Sequence, residues 1–486
     1  MTRPATRAAL RAAFRSRSCA TCRATQRGQA LVLGMMLAAT VSAALAMLYV
    51  LGRTVEARAR LIHAADAAAY SGALEQARQL NFLAYANRTQ IAHQIAMAHL
   101  VTLGASQSFA HALAGQRRRN NPPARLLSTL FGRDVGLAYG AARAAPGGEA
   151  ELMRAYAEHD RVVHQVLEAG AASAVAGLPV ARERLMRAVL RDNYPVVNAL
   201  ARAGSATAAV APTIRLLSDG WPEFLQHHAA SPGAALRSAV EQAAGRYGFL
   251  GSRDGTRANS ARVNVQCPLA RHQLRRRGAT WLDADGHWGA LDTQSFHSQR
   301  FNRWTGCYYR EYAMGWGAVA QPGSTGPDGM EYVENPPGDF TSQDFWQWVK
   351  RATTWDIREG TGNPLANSYA MAQGRRWPGS GLPGYFEVAG THGPQPLRFA
   401  VAVSVVRDEP GDRQAAGAAA PKRGYLGTGT SRAEPLMATS AAETYFAKPE
   451  PRADGSDEAP TLFRPYWQAR LASVTADESL RAREAP

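Results

Sequence analysis

The chain has 486 residues, enough for two or three compact units. Its formal net charge of +16 raises nucleic acid as a partner. The distribution argues against that class: seven of the charges sit in the first 27 residues. The only dense basic runs, Arg117-Arg118-Arg119 and Arg275-Arg276-Arg277, have no interleaved aromatics and read as solvated loops.

Residues 1–27 form a basic tail carrying Arg3, Arg7, Arg11, Arg15, Arg17, Arg23 and Arg27 with no Asp or Glu. The next 25 residues, Gly28 to Gly52, hold no charge at all. Twenty or so apolar residues make a helix long enough to cross the hydrocarbon core. The positive-inside rule then keeps the tail in the cytoplasm and exports residues 53–486. A cleaved signal peptide has an apolar core of about 7–15 residues and a small-x-small cleavage site. Here the run is longer and ends in Leu51-Gly52-Arg53-Thr54. A lipoprotein signal is disfavoured because Cys19 and Cys22 precede the run. A buried core helix would leave the seven arginines unexplained.

Inside the span, Gly34, Ala38, Ser42 and Ala46 recur every fourth residue. They form a ridge of small side chains, the surface that lets two membrane helices approach closely. The expected partners are therefore the lipid bilayer and another membrane helix.

No proline occurs between Pro4 and Pro122, so helix is expected from about Gly28 to about Leu113. Gly72 and Gly104 are the expected bends. Residues 53–121 read as a helical stalk, closed by Arg117 to Pro123. Asp66 in its Ala-rich run reads as a solvated side chain, with a contact to a partner helix as the alternative. His93, His99 and His111 fall too far apart or on different faces to share a ligand and read as packing or polar-face residues.

Residues 122–250 read as a helical region. Leu152, Tyr156, His159, Val163, Val166 and Leu167 make one helical stripe. Tyr194-Pro195 and Trp221-Pro222 mark breaks. Residues 251–407 read as a Trp-rich α+β domain. Its clearest strand is Leu397 to Val406; Arg262 to Gln266 and Gly306 to Tyr312 are weaker ones. A helix is expected from Thr341 to Arg351. Eight tryptophans between Trp281 and Trp377 read as a core of large side chains, with an aromatic platform for glycan or protein as the alternative. Residues 408–433 are a linker. Residues 434–475 hold ordered segments around a second linker at 448–460, and residues 476–486 are a tail.

Cys19 and Cys22 form a lone pair without the four ligands a structural zinc needs. Cys267 and Cys307 lie beyond the span, where a disulfide between them is permitted. No catalytic constellation, cofactor loop or metal motif stands out, and the expectation is a non-enzyme. Asp283, Asp285 and Asp292 would serve a cell-wall-active enzyme as an acid pair, but D-x-D-G-x-W also reads as a turn.

Arg27-Gly28-Gln29-Ala30, the apolar span, and Ala64-Ala65-Asp66-Ala67-Ala68-Ala69 before Ser71-Gly72-Ala73 form a series over residues 26–75. It resembles the N-terminal region of the TadE/TadG-like group of Tad/Flp pilus-assembly proteins of bacteria. The ending Leu462-Phe463-Arg464-Pro465-Tyr466-Trp467-Gln468-Ala469-Arg470-Leu471 is similar to endings of such chains. The resemblance implies a bitopic inner-membrane protein, its bulk periplasmic, that meets other pilus-assembly membrane proteins through its span and stalk. Prepilin-like members carry Glu five residues after the cleavage glycine; here Leu33 stands there, so a permanent anchor is implied. The D-x-S-x-S metal string of some members is missing. The expected fold is α+β: a single transmembrane helix, a helical stalk, a helical middle and a mixed C-terminal domain. A secreted adhesin, released by cleavage near residue 52, is the further alternative.

Overall fold

A computed structural model of the chain describes residues 27–120, 122–143, 147–194, 212–229, 234–303, 306–319, 331–332, 368–369, 377–390, 395–405, 436–450, 455 and 458–484. The fold is mixed α+β, a long apolar N-terminal helix followed by a sheet-rich C-terminal region. Helix α1 (Arg27–Arg118) runs unbroken for 92 residues. Then come α2 (Ala124–Phe131), α3 (Arg133–Ala141) and α4 (Gly148–Arg161). A π-helical segment (Val162–Glu168) leads into α5 (Ala169–Asn193). Next are β1 (Thr213–Asp219), α6 (Trp221–Phe224), β2 (Leu225–His228) and α7 (Ala234–Ala244). Strands β3 (Gly255–Ala258), β4 (Gln273–Leu282), β5 (Trp288–Asn302) and β6 (Gly306–Val319) make one antiparallel sheet in that order. Strands β7 (Glu331–Tyr332) and β8 (Ser368–Tyr369) pair in parallel, and β9 (Tyr385–Val388) pairs with β2. Strands β10 (Leu397–Val405), β11 (Leu436–Phe446) and β12 (Trp467–Ala472) join β1 in a second antiparallel sheet, order β1-β10-β11-β12. Helix α8 (Ala476–Glu484) closes the described chain.

Both sheets are built around α1. From Leu31 to Tyr49 every residue of α1 is exposed, whereas from Leu61 onward one side of the helix is buried. Ala64, Ala65, Ala68, Ala69 and Ala73 pack on Phe399, Val401, Val403, Ala438 and Ala442, with Met186 and Leu190 of α5 completing the cluster. Small side chains let the helix axis come close to the strands, which is the physical use of this Ala-rich run. Further along, Met97, Ala98, Val101 and Ala105 pack with Trp288, Ala290, Val319 and Trp377. The expected stalk is therefore not free-standing: past Leu61 the helix is the core around which later segments fold. A large part of its buried face is alanine, which reads equally well as exposed helix former, so composition alone did not separate the two.

Gly72 and Gly104 are not bends. They are the points of closest approach: a Cβ at Gly72 would meet Met186 Sδ at 2.8 Å and Phe399 Cζ at 2.9 Å, and one at Gly104 would meet the Trp377 ring.

Side-chain amides on α1, half-buried at Asn81 and buried at Asn87 and Gln90, fasten the C-terminal segments. Asn81 Nδ2 donates to Trp467 O at 3.0 Å, and the Trp467 N–H donates back to Asn81 Oδ1 at 3.0 Å. Asn87 Nδ2 donates to Leu462 O (2.8 Å) and Phe386 O (3.0 Å), and Gln90 Nε2 donates to Gly384 O (3.1 Å). Four of these five bonds satisfy a backbone carbonyl, each of which would cost about 1–3 kcal/mol if buried without a partner.

The region 122–250 is not wholly helical, since β1 and β2 lie within it. Their partners, β10 and β9, come more than 150 residues later, so local periodicity does not reveal them. Arg262 to Gln266 form no strand but lead into the turn at Cys267. Leu397–Val405 is a central, mostly buried strand, and Gly306–Val319 extends the weaker candidate. In the stripe along α4 and the π-helical segment, Tyr156 and Val163 are buried, whereas Val166 is 50% exposed, the wider π-helical turn rotating it away from the core. The expected helix from Thr341 to Arg351 and the linker at 408–433 lie outside the described residues, as do Cys19 and Cys22.

Candidate functional site: the open edge of the long helix

Among the described residues, α1 is the helix long and apolar enough to cross a membrane. Two threonine hydroxyls in and just after the apolar run are satisfied internally: Thr40 Oγ1 donates to Leu37 O (2.9 Å) and Thr54 Oγ1 to Leu51 O (2.7 Å). Such back-bonding is what a polar side chain needs where water is missing. Gly34, Ala38, Ser42 and Ala46 all lie on this exposed stretch, and nothing approaches Gly34 within 4 Å. The ridge is presented and uncovered.

The same helical direction stays open through the folded region. At 3.6 residues per turn, 36 residues make about ten turns. Gly34, Ala38, Ser42 and Ala46 are thus repeated in phase by Tyr70, Leu74, Arg78 and Phe82. Those four residues are exposed, as are Tyr85, Arg88, Thr89 and Ala92 beyond them. Tyr70, Leu74, Phe82 and Tyr85 keep 42%, 44%, 48% and 58% of their surface in solvent, unusual for large apolar side chains on a core helix. Between the two stretches Gly52, Glu56 and Arg60 keep this direction exposed while Ala64, on its flank, is buried, so the fold wraps α1 on the other sides and leaves an edge open from the small-residue ridge to the distal third of the helix. The four-residue spacing of the ridge was legible in sequence. The stripe above it was not, because its exposure depends on where distant strands and helices pack.

Beside this edge, His93 Nδ1 and His159 Nδ1 lie 2.7 Å apart, one donating to the other, and join α1 to α4. Burial, and then the neighbouring His159, hold His93 below the ordinary histidine range. His99 stacks on Phe249 with ring centroids 4.9 Å apart, and His111 is exposed. The three histidines share no site.

Asp66 is half-buried and accepts a 2.7 Å bond from Ser440 Oγ of β11. Thr444 Oγ1 donates to Ala73 O at 2.9 Å. The Ala64–Ala73 motif and the Leu462–Leu471 motif therefore both act at α1, the first seating it on β10 and β11, the second tied to Asn81 and Asn87. Cys267 and Cys307 are disulfide-bonded, Cα–Cα 5.9 Å, linking the start of β6 to the β3–β4 connection.

Asp283, Asp285 and Asp292 are not gathered in a cleft. Asp283 accepts the His287 N–H at 2.8 Å in the β4–β5 hairpin, whose Gly286 has φ +85°. Asp292 is buried and held by Arg253 (3.1 Å) and Arg276 (3.2 Å). Trp288 and Trp377 are buried in the core around α1. Trp304, Trp346, Trp348 and Trp355 lie outside the described residues. Comparison of the chain with protein-family models, curated proteins and solved structures finds no match.

Proposed function

We propose that the chain is a single-pass membrane-anchored component of a Tad/Flp-type pilus-assembly or secretion apparatus, acting through protein–protein contacts. It sits in the bacterial inner membrane with residues 1–27 in the cytoplasm and the folded region in the periplasm. The observation that supports this best is the double use of α1. One unbroken helix is both the apolar segment and the core of the folded region, and its one open edge has the same phase in both. A chain built this way presents a rigid surface to other membrane-anchored helices. Two of the segments quoted for the family resemblance, Ala64–Ala73 and Leu462–Leu471, take part in seating α1 in the folded region.

The test is topological and associative. A periplasmic reporter fused after about residue 120 should be active and a cytoplasmic one silent; the reverse result overturns the reading. The protein should stay with membranes in alkaline carbonate. In a membrane two-hybrid assay, Ala38→Leu or Ser42→Leu should weaken association with a partner helix while Leu48→Ala changes little. Equal behaviour of the three variants would show that the ridge does not pack.

A further inference from the structure

At Arg88 and Ala92 the open edge of α1 becomes the floor of a groove. Two hollows of about 410 Å³ and 430 Å³ lie side by side and share these two residues. One is walled by Tyr85, His93 and His159. The other is walled by Ala239, Ala243 and Arg246 on the α7 side and by Phe463, Arg464 and Tyr466 opposite. The floor is small or aliphatic at Ile91, Ala92 and Ile95. No Asp or Glu lines either hollow, whereas three guanidinium groups do: Arg88, Arg246 and Arg464. Arg464 is paired at 2.6 Å with Glu458, a buried carboxylate. Arg88 and Arg246 are exposed and pair with no carboxylate among the described residues.

We propose that this groove is a docking site for an acidic amphipathic helix of another protein. This rests on the reading of the chain as a membrane-anchored assembly component, and it specifies what that component holds. The occupant lays an apolar face on Ile91, Ala92 and Ile95 and sets carboxylates against Arg88 and Arg246. Its direction follows from the edge itself: a helix that leaves the membrane beside Gly34–Ala46 and follows Tyr70, Leu74, Phe82 and Tyr85 arrives in the groove.

Two other occupants fit less well. Anionic lipid is out of reach, because Ala92 lies 40 residues beyond Gly52, about 60 Å along the helix. A second copy of this chain, anchored in the same membrane and laid edge to edge, would bring Arg88 against Arg88, and like charges facing each other oppose association.

The experiment uses the full chain in nanodiscs of neutral phospholipid. The probe is a fluorescein-labelled helical peptide of about 20 residues, with Leu and Ala on one face and Glu on its flanks. A second peptide carries Lys in place of Glu, and binding is read by anisotropy. The acidic peptide should bind, more weakly as salt is raised. Ala92→Trp, which fills the floor, should weaken it at least tenfold. The pair Arg88→Glu and Arg246→Glu should reverse the preference toward the Lys peptide. Equal binding of both peptides, no binding of the acidic one, or an unchanged affinity in Ala92→Trp overturns the proposal. So does efficient disulfide cross-linking between two copies through Ala92→Cys. None of these outcomes bears on insertion or orientation, so the groove and the membrane anchor fail separately.

Discussion

Replacing Gly104 by alanine isolates the role of α1 as a core helix. In an exposed helix the change stabilises, by about 1 kcal/mol, because glycine is the costlier residue to order. At Gly104 the added methyl carbon would lie 2.5 Å from Trp377 Cζ2 and 2.7 Å from Cη2, with Val319 Cγ2 at 3.1 Å. Ordinary carbon–carbon contact is about 3.5–4.0 Å, so the ring must move by about 1 Å. It has little room: Trp377 is 2% exposed and stands edge-on to Tyr156 at 5.7 Å. Overpacking of this kind costs about 1–3 kcal/mol, which cancels or outweighs the helix gain and leaves Gly104→Ala destabilised by up to about 2 kcal/mol. Gly115 is in the same helix with nothing within 4 Å of its Cβ direction. Gly115→Ala should therefore stabilise by about 0.5–1 kcal/mol. Urea unfolding of the full chain in detergent, followed by tryptophan fluorescence, should move the two midpoints in opposite directions. Midpoints that move together would mean that α1 is not enclosed at Gly104.

The Cys267–Cys307 bond closes a separation of 40 residues, worth about 4 kcal/mol in the chain-entropy account. Cys307→Ser should lower the urea midpoint, and reductant should then have no further effect. His297 is fully buried, and burial, with Arg275 and Arg277 nearby, lowers its pKa to about 3. The unfolded chain takes up this proton below about pH 6.5 and the folded one only near pH 3. Stability is therefore lost as pH falls through that window, by up to about 5 kcal/mol. His297→Gln should flatten the slope, and a slope as steep as in the parent chain would refute the assignment. Glu478 is the opposite case. Bonds from Arg398, Thr475 and Ser218 overcome the cost of burial and hold its pKa at about 2. The α8 latch should accordingly stay closed above the ordinary glutamate range and open as pH falls toward 2. Arg398→Ala should raise the pH at which proteolysis reaches residues 476–484.

The elements legible in sequence are those whose cause is local. Gly28 to Gly52 declares itself by length and lack of charge, and Leu397–Val405 by β-branched alternation between breakers. What stayed hidden depends on distant residues. Asn81, Asn87 and Gln90 look like ordinary polar positions of a stalk; they are partly or wholly covered because the segments around residues 384–386 and 462–467 return to them. Thr213–Asp219 becomes a strand through pairing with β10, and Arg182 of α5 meets Asp219 there in a forked ion pair. The groove is hidden for the same reason: Arg88, Arg246 and Arg464 converge from three segments, and nothing in the spacing of any one of them announces the others.

An unbroken α1 also has a mechanical meaning. In the membrane-anchored reading proposed above, α1 has no joint between its apolar run and the folded region, and the molecule would act as a lever whose short arm is in lipid. From Gly52 to Arg118 the long arm spans 66 residues, about 100 Å. A tilt of about 20°, ordinary for a membrane helix, swings its far end sideways by roughly 30 Å. Force applied at the tip, or a neighbour leaning on the span, is transmitted along one rod, and the two ends of the protein move in opposite directions.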